Sequence, residues 1–155
     1  RRQRQMCIRD SSHSGKSILS YKALENGFPI ISDDVTLIKE NRDRIDILPL
    51  YTSIFLKGRA INPKPQMFKP AVLKYLVFPK QTSGFNLVNK VKKRVDVLKR
   101  IVPQLLWSYE RKVKRKQKEF VERLCNYPSF ELYWNKDFLK DHFIFREMLN
   151  EIVQG

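Results

Sequence analysis

The chain has 155 residues, 42% of them hydrophobic, and a formal net charge of +15. That length suits one domain with one proper core, and that hydrophobic content excludes a disordered chain. No stretch approaches the roughly 20 apolar residues of a spanning helix, and no long apolar run follows Arg1-Arg2-Gln3-Arg4-Gln5, so neither a membrane span nor a signal peptide is expected.

Gln5–Arg9 reads as a short strand, and 10–15 as a polar loop without a large apolar side chain. Lys16–Glu25 then reads as a helix, with Ile18, Leu19, Ala23 and Leu24 spaced to form one apolar face. Asn26-Gly27 ends it, glycine being the usual residue just past a helix C-terminus. Residues 28–31 read as a buried strand and 35–39 as another, with β-branched Val35, Thr36 and Ile38. A turn over 41–43 leads to 44–48, which alternates as a hairpin partner would. Within 49–70, residues 53–56 suit a strand, whereas Asn62-Pro63-Lys64-Pro65 cannot lie inside a regular element. The apolar run 71–78, ended by Pro79, and then 84–88 are two further strands.

Past residue 90 the period changes. Val91, Val95, Leu98, Val102 and Leu105 recur at helical spacing, with Pro103 starting a second helical segment or kinking the first. Tyr109, Val113, Phe120 and Leu124 form a second stripe with basic residues opposite, broken at Tyr127-Pro128. Residues 130–134 alternate as an edge strand would, and Asp137 is the expected N-cap of a last helix over 138–153 that carries Phe138, Phe145, Leu149 and Ile152 on one side. The expected fold is α/β or mixed α+β in one domain, 1–155: a phosphate-loop region 5–38, a β-rich middle 44–89 and a helical part 90–155. Because the chain opens with Arg straight into a strand, we expect an N-terminally truncated piece of a longer sequence.

Residues 10–17 read Asp-Ser-Ser-His-Ser-Gly-Lys-Ser, and Gly15-Lys16-Ser17 matches the tail of the phosphate-loop pattern G-x-x-x-x-G-K-[ST]. In that pattern, backbone N–H groups of a small-residue loop turn inward around phosphate oxygens, and the next helix adds its free N–H groups. The loop residues Ser11, Ser12, His13, Ser14 and Gly15 would cradle the phosphates, Lys16 would reach the β/γ-phosphates, and the Ser17 hydroxyl would sit on Mg²⁺. Asp10 stands where the pattern has its first glycine. Asp tolerates unusual backbone angles better than most residues, but its carboxylate repels phosphates unless it points away or toward the metal. A bare Gly-Lys-Ser tripeptide is common in unrelated surface loops, so its setting between a strand and a helix carries the weight. One helix downstream, Asp33 and Asp34 follow the apolar run Ile30-Ile31-Ser32. A second-strand acid there can meet the metal. Neighbours on an extended chain point to opposite sides, so one can hold Mg²⁺ through water and the other take a proton. Which does which stays open, and a turn-capping role is the bland alternative.

The run Gly27-Phe28-Pro29-Ile30-Ile31-Ser32-Asp33-Asp34-Val35-Thr36-Leu37-Ile38, following a phosphate-loop helix, resembles the signature of the HPr serine kinase/phosphorylase C-terminal-domain-like family. Leu76-Val77-Phe78-Pro79, Val102-Pro103-Gln104-Leu105-Leu106 and Phe130-Glu131-Leu132-Tyr133 are similar to segments of its small bacterial members. The likeness is strong over 13–38 and looser elsewhere. It implies a PEP-carboxykinase-like fold and ATP- and Mg²⁺-dependent phosphorylation of a serine hydroxyl on a peptide or protein. By position, Lys16 and Ser17 would bind nucleotide and Mg²⁺, and Asp33 and Asp34 would supply metal contact, assigned to Asp33, and the catalytic base. The family's catalytic His lies upstream of the loop, at a position that would precede Arg1, and His13 does not match it. The segment that contacts HPr is not recognisable, so HPr is a poor substrate candidate. Oligomeric relatives suggest a homo-oligomer.

The charge is uneven. Between Lys90 and Lys118 twelve Lys and Arg face only Asp96 and Glu110, a local excess of ten. This stretch is either a solvated face or a surface for an anionic partner: an acidic phospho-acceptor, or nucleic acid if the phosphate loop is a relic in a binding protein. Lys57 and Arg59 beside Gly58 could clamp a phosphate, although surface charge is commoner. Trp107, Tyr109, Tyr133 and Trp134 lie near basic residues but mostly on the apolar stripes, which favours core. Cys7 and Cys125 form no disulfide framework and no zinc-type cluster, so a reducing, cytoplasmic setting is expected.

Overall fold

A computed structural model describes residues 5–9, 16–31, 35–41, 43–49, 54–56, 59–61, 70–135, 137 and 140–154. Its elements are β1 (Gln5–Arg9), α1 (Lys16–Glu25), β2 (Val35–Glu40), β3 (Ile45–Leu48), β4 (Ile54–Leu56), β5 (Arg59–Ile61), β6 (Ala71–Val72), β7 (Leu76–Gln81), β8 (Leu87–Lys90), α2 (Arg94–Ile101), α3 (Arg111–Leu124), β9 (Ser129–Trp134) and α4 (His142–Gln154), with a 3-10 turn at Val102–Gln104. The fold is mixed α/β. Its described strands form an antiparallel sheet in the order β1-β2-β3-β6, a β4-β5 pair and a sheet in the order β7-β9-β8. In the last, β9 runs parallel to β7 and antiparallel to β8. No helix among the described residues is long and apolar enough to cross a membrane.

The local signals place β1 and α1 at their expected bounds and give the β2–β3 hairpin. The Asn41 amide donates to the Arg44 carbonyl at 2.9 Å, closing that hairpin. The strand expected over 28–31 is not one. Gly27, at φ +85°, ends α1 in the left-handed conformation. The Phe28 amide then donates to the Ala23 carbonyl and the Gly27 amide to that of Leu24, so the turn takes up the amide that a strand ladder would need.

The single strand expected over 71–78 is two. Ala71–Val72 pairs with β3, Leu73 buries itself in the core, and Leu76 starts a strand in the other sheet. Pro79 does not end β7, which runs on to Gln81. The Leu76 amide donates to the Pro128 carbonyl and the Thr82 amide to that of Trp134. Alternate residues therefore point their amides at β9, and Pro79 falls on the outward side of an edge strand, where no donor is missed. β9, expected at an edge, is the central strand of its sheet. Its polar positions are polar because Glu131 pairs with Arg100 of α2 and accepts from the Tyr133 hydroxyl at 3.0 Å.

The helical stripes are rotated from expectation. Val97, Ile101 and Leu105 are buried, while Val95 and Val102 are exposed, because α2 begins only at Arg94 and tightens into the 3-10 turn at Pro103. Tyr109 lies outside α3 and is wholly exposed; Phe120, Val121 and Leu124 carry that helix's buried side. The last helix starts at His142, and its cap is Asp141, whose Oδ1 accepts the Phe143 amide at 2.8 Å, rather than Asp137.

Two apolar clusters lie on opposite faces of the β7-β9-β8 sheet. One joins Ile38 and Ile45 of the first sheet, Leu73, the α2 pair Val97 and Ile101, and Phe120, Val121, Leu124 and Cys125, with Leu76 and Phe78 of β7 against it. The other joins Leu132 and Trp134 of β9 to Phe145 and Met148 of α4, with Leu19 and Ala23 of α1 packed on it. Phe145 meets Phe28 edge-on, with ring centroids 6.3 Å apart.

Candidate nucleotide-binding site

β1 and β2 are adjacent and antiparallel, with Cys7 opposite Leu37 and Arg9 opposite Val35. Arg9 is the last residue before the 10–15 loop, and Val35 the first after Asp34. The register thus brings to one end of the sheet the point where the loop leaves and the point where the aspartate segment arrives. Asp10, Ser11, Ser12, His13, Ser14, Gly15, Asp33 and Asp34 themselves lie outside the described residues.

Lys16 and Ser17 open α1 and are half-buried. The first turn of α1 carries no acidic side chain, so nothing on the helix competes with an anion for its N-terminal amides. The helix is held along its length. Leu19 and Ala23 seat it on the Trp134–Phe145 cluster, and it also lies against β4. The Arg146 guanidinium donates to the Asn26 carbonyl at 3.4 Å, which ties the C-terminal end of α1 to α4. The sheet side is fixed independently. Ile38 of β2 is buried in the α2–α3 cluster, Glu40 pairs with Arg123, and the Ile45 amide donates to the Tyr127 hydroxyl at 3.2 Å.

A hard divalent cation takes hydroxyl, carboxylate and phosphate oxygens. Ser17 at the head of α1 carries a hydroxyl of that kind, whereas Asp33 and Asp34, the carboxylates expected to act with it, lie outside the described residues. Among the described residues no group of three His, Cys, Asp or Glu is assembled to hold a metal.

Sequence reasoning does not single out Lys22. It is 6% exposed, on the margin of the Leu19–Ala23 face, with its Nζ 3.5 Å from Glu25. Its long stem covers apolar surface while the ammonium reaches a carboxylate, a role that helical spacing alone does not signal. Of the aromatics weighed as base-stacking candidates, Trp134 is wholly buried core, Trp107 packs on the α2–α3 cluster, Tyr133 is half-buried beside Glu131, and Tyr109 alone stands fully in solvent. Lys57 and Gly58 lie outside the described residues. Compared with family models, curated proteins and solved structures, the chain matches none.

Proposed function

We propose that this chain binds Mg-ATP where β1 meets α1 and transfers the γ-phosphoryl group to a serine-type hydroxyl of a peptide or protein, as an HPr kinase-like domain of PEP-carboxykinase-like fold. The observation that supports the reading is the Arg9–Val35 register, which sets the residue before the 10–15 segment opposite the residue after Asp34. Nothing in the composition requires Arg9 and Val35, 26 residues apart, to face each other. Lys16 neutralises phosphate charge, the α1 amides donate hydrogen bonds to phosphate oxygens, and Ser17 with Asp33 holds Mg²⁺. The remaining aspartate takes the proton of the acceptor hydroxyl as its oxygen bonds to phosphorus and ADP leaves. Held by Ser17 and Asp33, Mg²⁺ would supply positive charge to offset the charge that develops on the phosphate oxygens.

Calorimetric titration of Mg-ATP tests this directly. Micromolar to low-millimolar binding is expected, lost in Lys16→Ala. Asp33→Asn and Asp34→Asn should each abolish transfer, and at least one should retain nucleotide binding. Heat of binding that is absent from a folded sample, or unchanged in Lys16→Ala, would overturn the reading.

A further inference from the structure

The outward face of α3 carries Arg111, Lys112, Lys114, Arg115, Lys116 and Lys118, all exposed. Only Arg115 has an acidic partner among the described residues: Glu119 at 3.6 Å, with the two side chains 82% and 48% exposed. The helix has no acid in its first turn, and Glu110 at its N-cap makes no side-chain cap. Cations therefore crowd the end of the helix whose dipole is already positive, and like charges stand three and four residues apart, both of which destabilise a lone helix. Solubility does not require this, because a surface of mixed sign serves as well. The buried side is complete without them: Phe120, Val121 and Leu124 face the core.

From this crowding and from Tyr109 we infer that α3 and the residue leading into it form a binding surface for single-stranded nucleic acid, with phosphates along the basic face and a base stacked on Tyr109. Six cations over eight residues, about 12 Å of helix, give about one charge per 2 Å, dense enough to meet every phosphate of a single strand, which carries about one per 3.4 Å. An extended acidic peptide presents same-face carboxylates only about every 7 Å and leaves most of these cations unmatched. An interfacial membrane helix needs its apolar side for the acyl region, and α3 spends that side on the core. The single strand is favoured over the duplex by Tyr109, whose relative exposure of 105% leaves both ring faces open two residues before the first of the cations. A base already unstacked can lie on such a ring, whereas a paired one must first leave its stack.

The test is fluorescence anisotropy with a labelled single-stranded RNA of mixed sequence, beside its duplex, polyglutamate and phosphatidylserine vesicles. The single strand should bind most tightly, with log affinity falling against log salt at a slope of about −4, since each neutralised single-strand phosphate contributes about −0.7. A Lys112→Gln/Lys114→Gln/Lys116→Gln variant should lose about 2 of that slope and at least about tenfold in affinity at low salt. Tyr109→Ala should lose about tenfold on RNA and nothing on polyglutamate. All four positions are solvent-exposed, so circular dichroism should be unchanged. Equal affinity for RNA in the triple variant, polyglutamate or vesicles binding as tightly as RNA, tighter binding of the duplex, or no effect of Tyr109→Ala would overturn the inference. None of these readouts involves ATP, so the outcome is independent of the kinase proposal.

Discussion

Glu131 is the residue at which local charge and tertiary packing meet. Burial acts to raise its carboxyl, but the Arg100 and Tyr133 hydrogen bonds, with the charges of Arg100 and Lys80, together outweigh it and hold the group below its ordinary 4.5. Tyr133 moves the other way: its bond to Glu131, then burial, raises the phenol above its ordinary 10.0. A lowered carboxyl contributes stability in full above its ordinary value and loses it as pH falls through the lowered one. Glu131→Gln should therefore cost about 1–2 kcal/mol at neutral pH, the scale of a hydrogen bond to a charged group. The difference in melting temperature from wild type should shrink as the pH is taken below 4.5, and the Tyr133 phenol should titrate lower in the variant. A separation that stays constant into acid would mean that Glu131 is not held as described. None of this was legible in the sequence. Residues 130–134 alternate visibly, but the partner that makes Glu131 tolerable on a central strand is 31 residues away, and an ion pair at that separation is a product of the fold.

At the scale of elements, legibility followed how local the signal was. The bounds of α1 were readable because a loop-and-helix motif starts it and Asn26-Gly27 stops it within one turn. The same turn misled the reading of 28–31, where apolar composition suggested a strand but the Phe28 amide is already committed to Ala23. Pro79 misled for a geometric reason: a proline stops a strand only where its missing donor faces a neighbour. Asp137 and Asp141 are equally good caps by residue type, and hydrogen bonding selects Asp141. The Gly27 turn makes a clean prediction. A Cβ built there meets nothing within 4 Å, so substitution costs only the left-handed backbone. Gly27→Ala should destabilise by about 1 kcal/mol and Gly27→Asn by less, since Asn tolerates that conformation. Urea denaturation measures both. An alanine variant as stable as wild type would show that the turn can relax to an ordinary φ, and Phe28 would then lose its fixed placement on Phe145.

For the whole molecule, the β7-β9-β8 sheet is the partition on which the rest depends. Its one face and α2–α3 secure β2 and β3; its other face and α4 secure α1. The helix α1 and the strand β2, which flank the candidate nucleotide site in sequence, are thus anchored by different clusters, a division that the sequence does not show. Net charge is the other property of this scale. At +15 the folded chain repels itself, and much of the excess lies between Lys90 and Lys118. Salt shortens the range of that repulsion from about 10 Å at 0.1 M to about 3 Å at 1 M. It also weakens exposed pairs such as Arg115–Glu119 and Lys140–Asp137, but such pairs contribute only about 0–1 kcal/mol each. Relief of repulsion should win, so the melting temperature should rise with sodium chloride, by a few degrees between low and high salt. The Lys112→Gln/Lys114→Gln/Lys116→Gln variant should start higher at low salt and rise less. If wild type melted at the same temperature at every salt concentration, or the variant rose as steeply, the charge on α3 would not be a source of strain in the free protein. A polyanion would then have no repulsion to relieve, and its binding would have to draw on direct contacts alone.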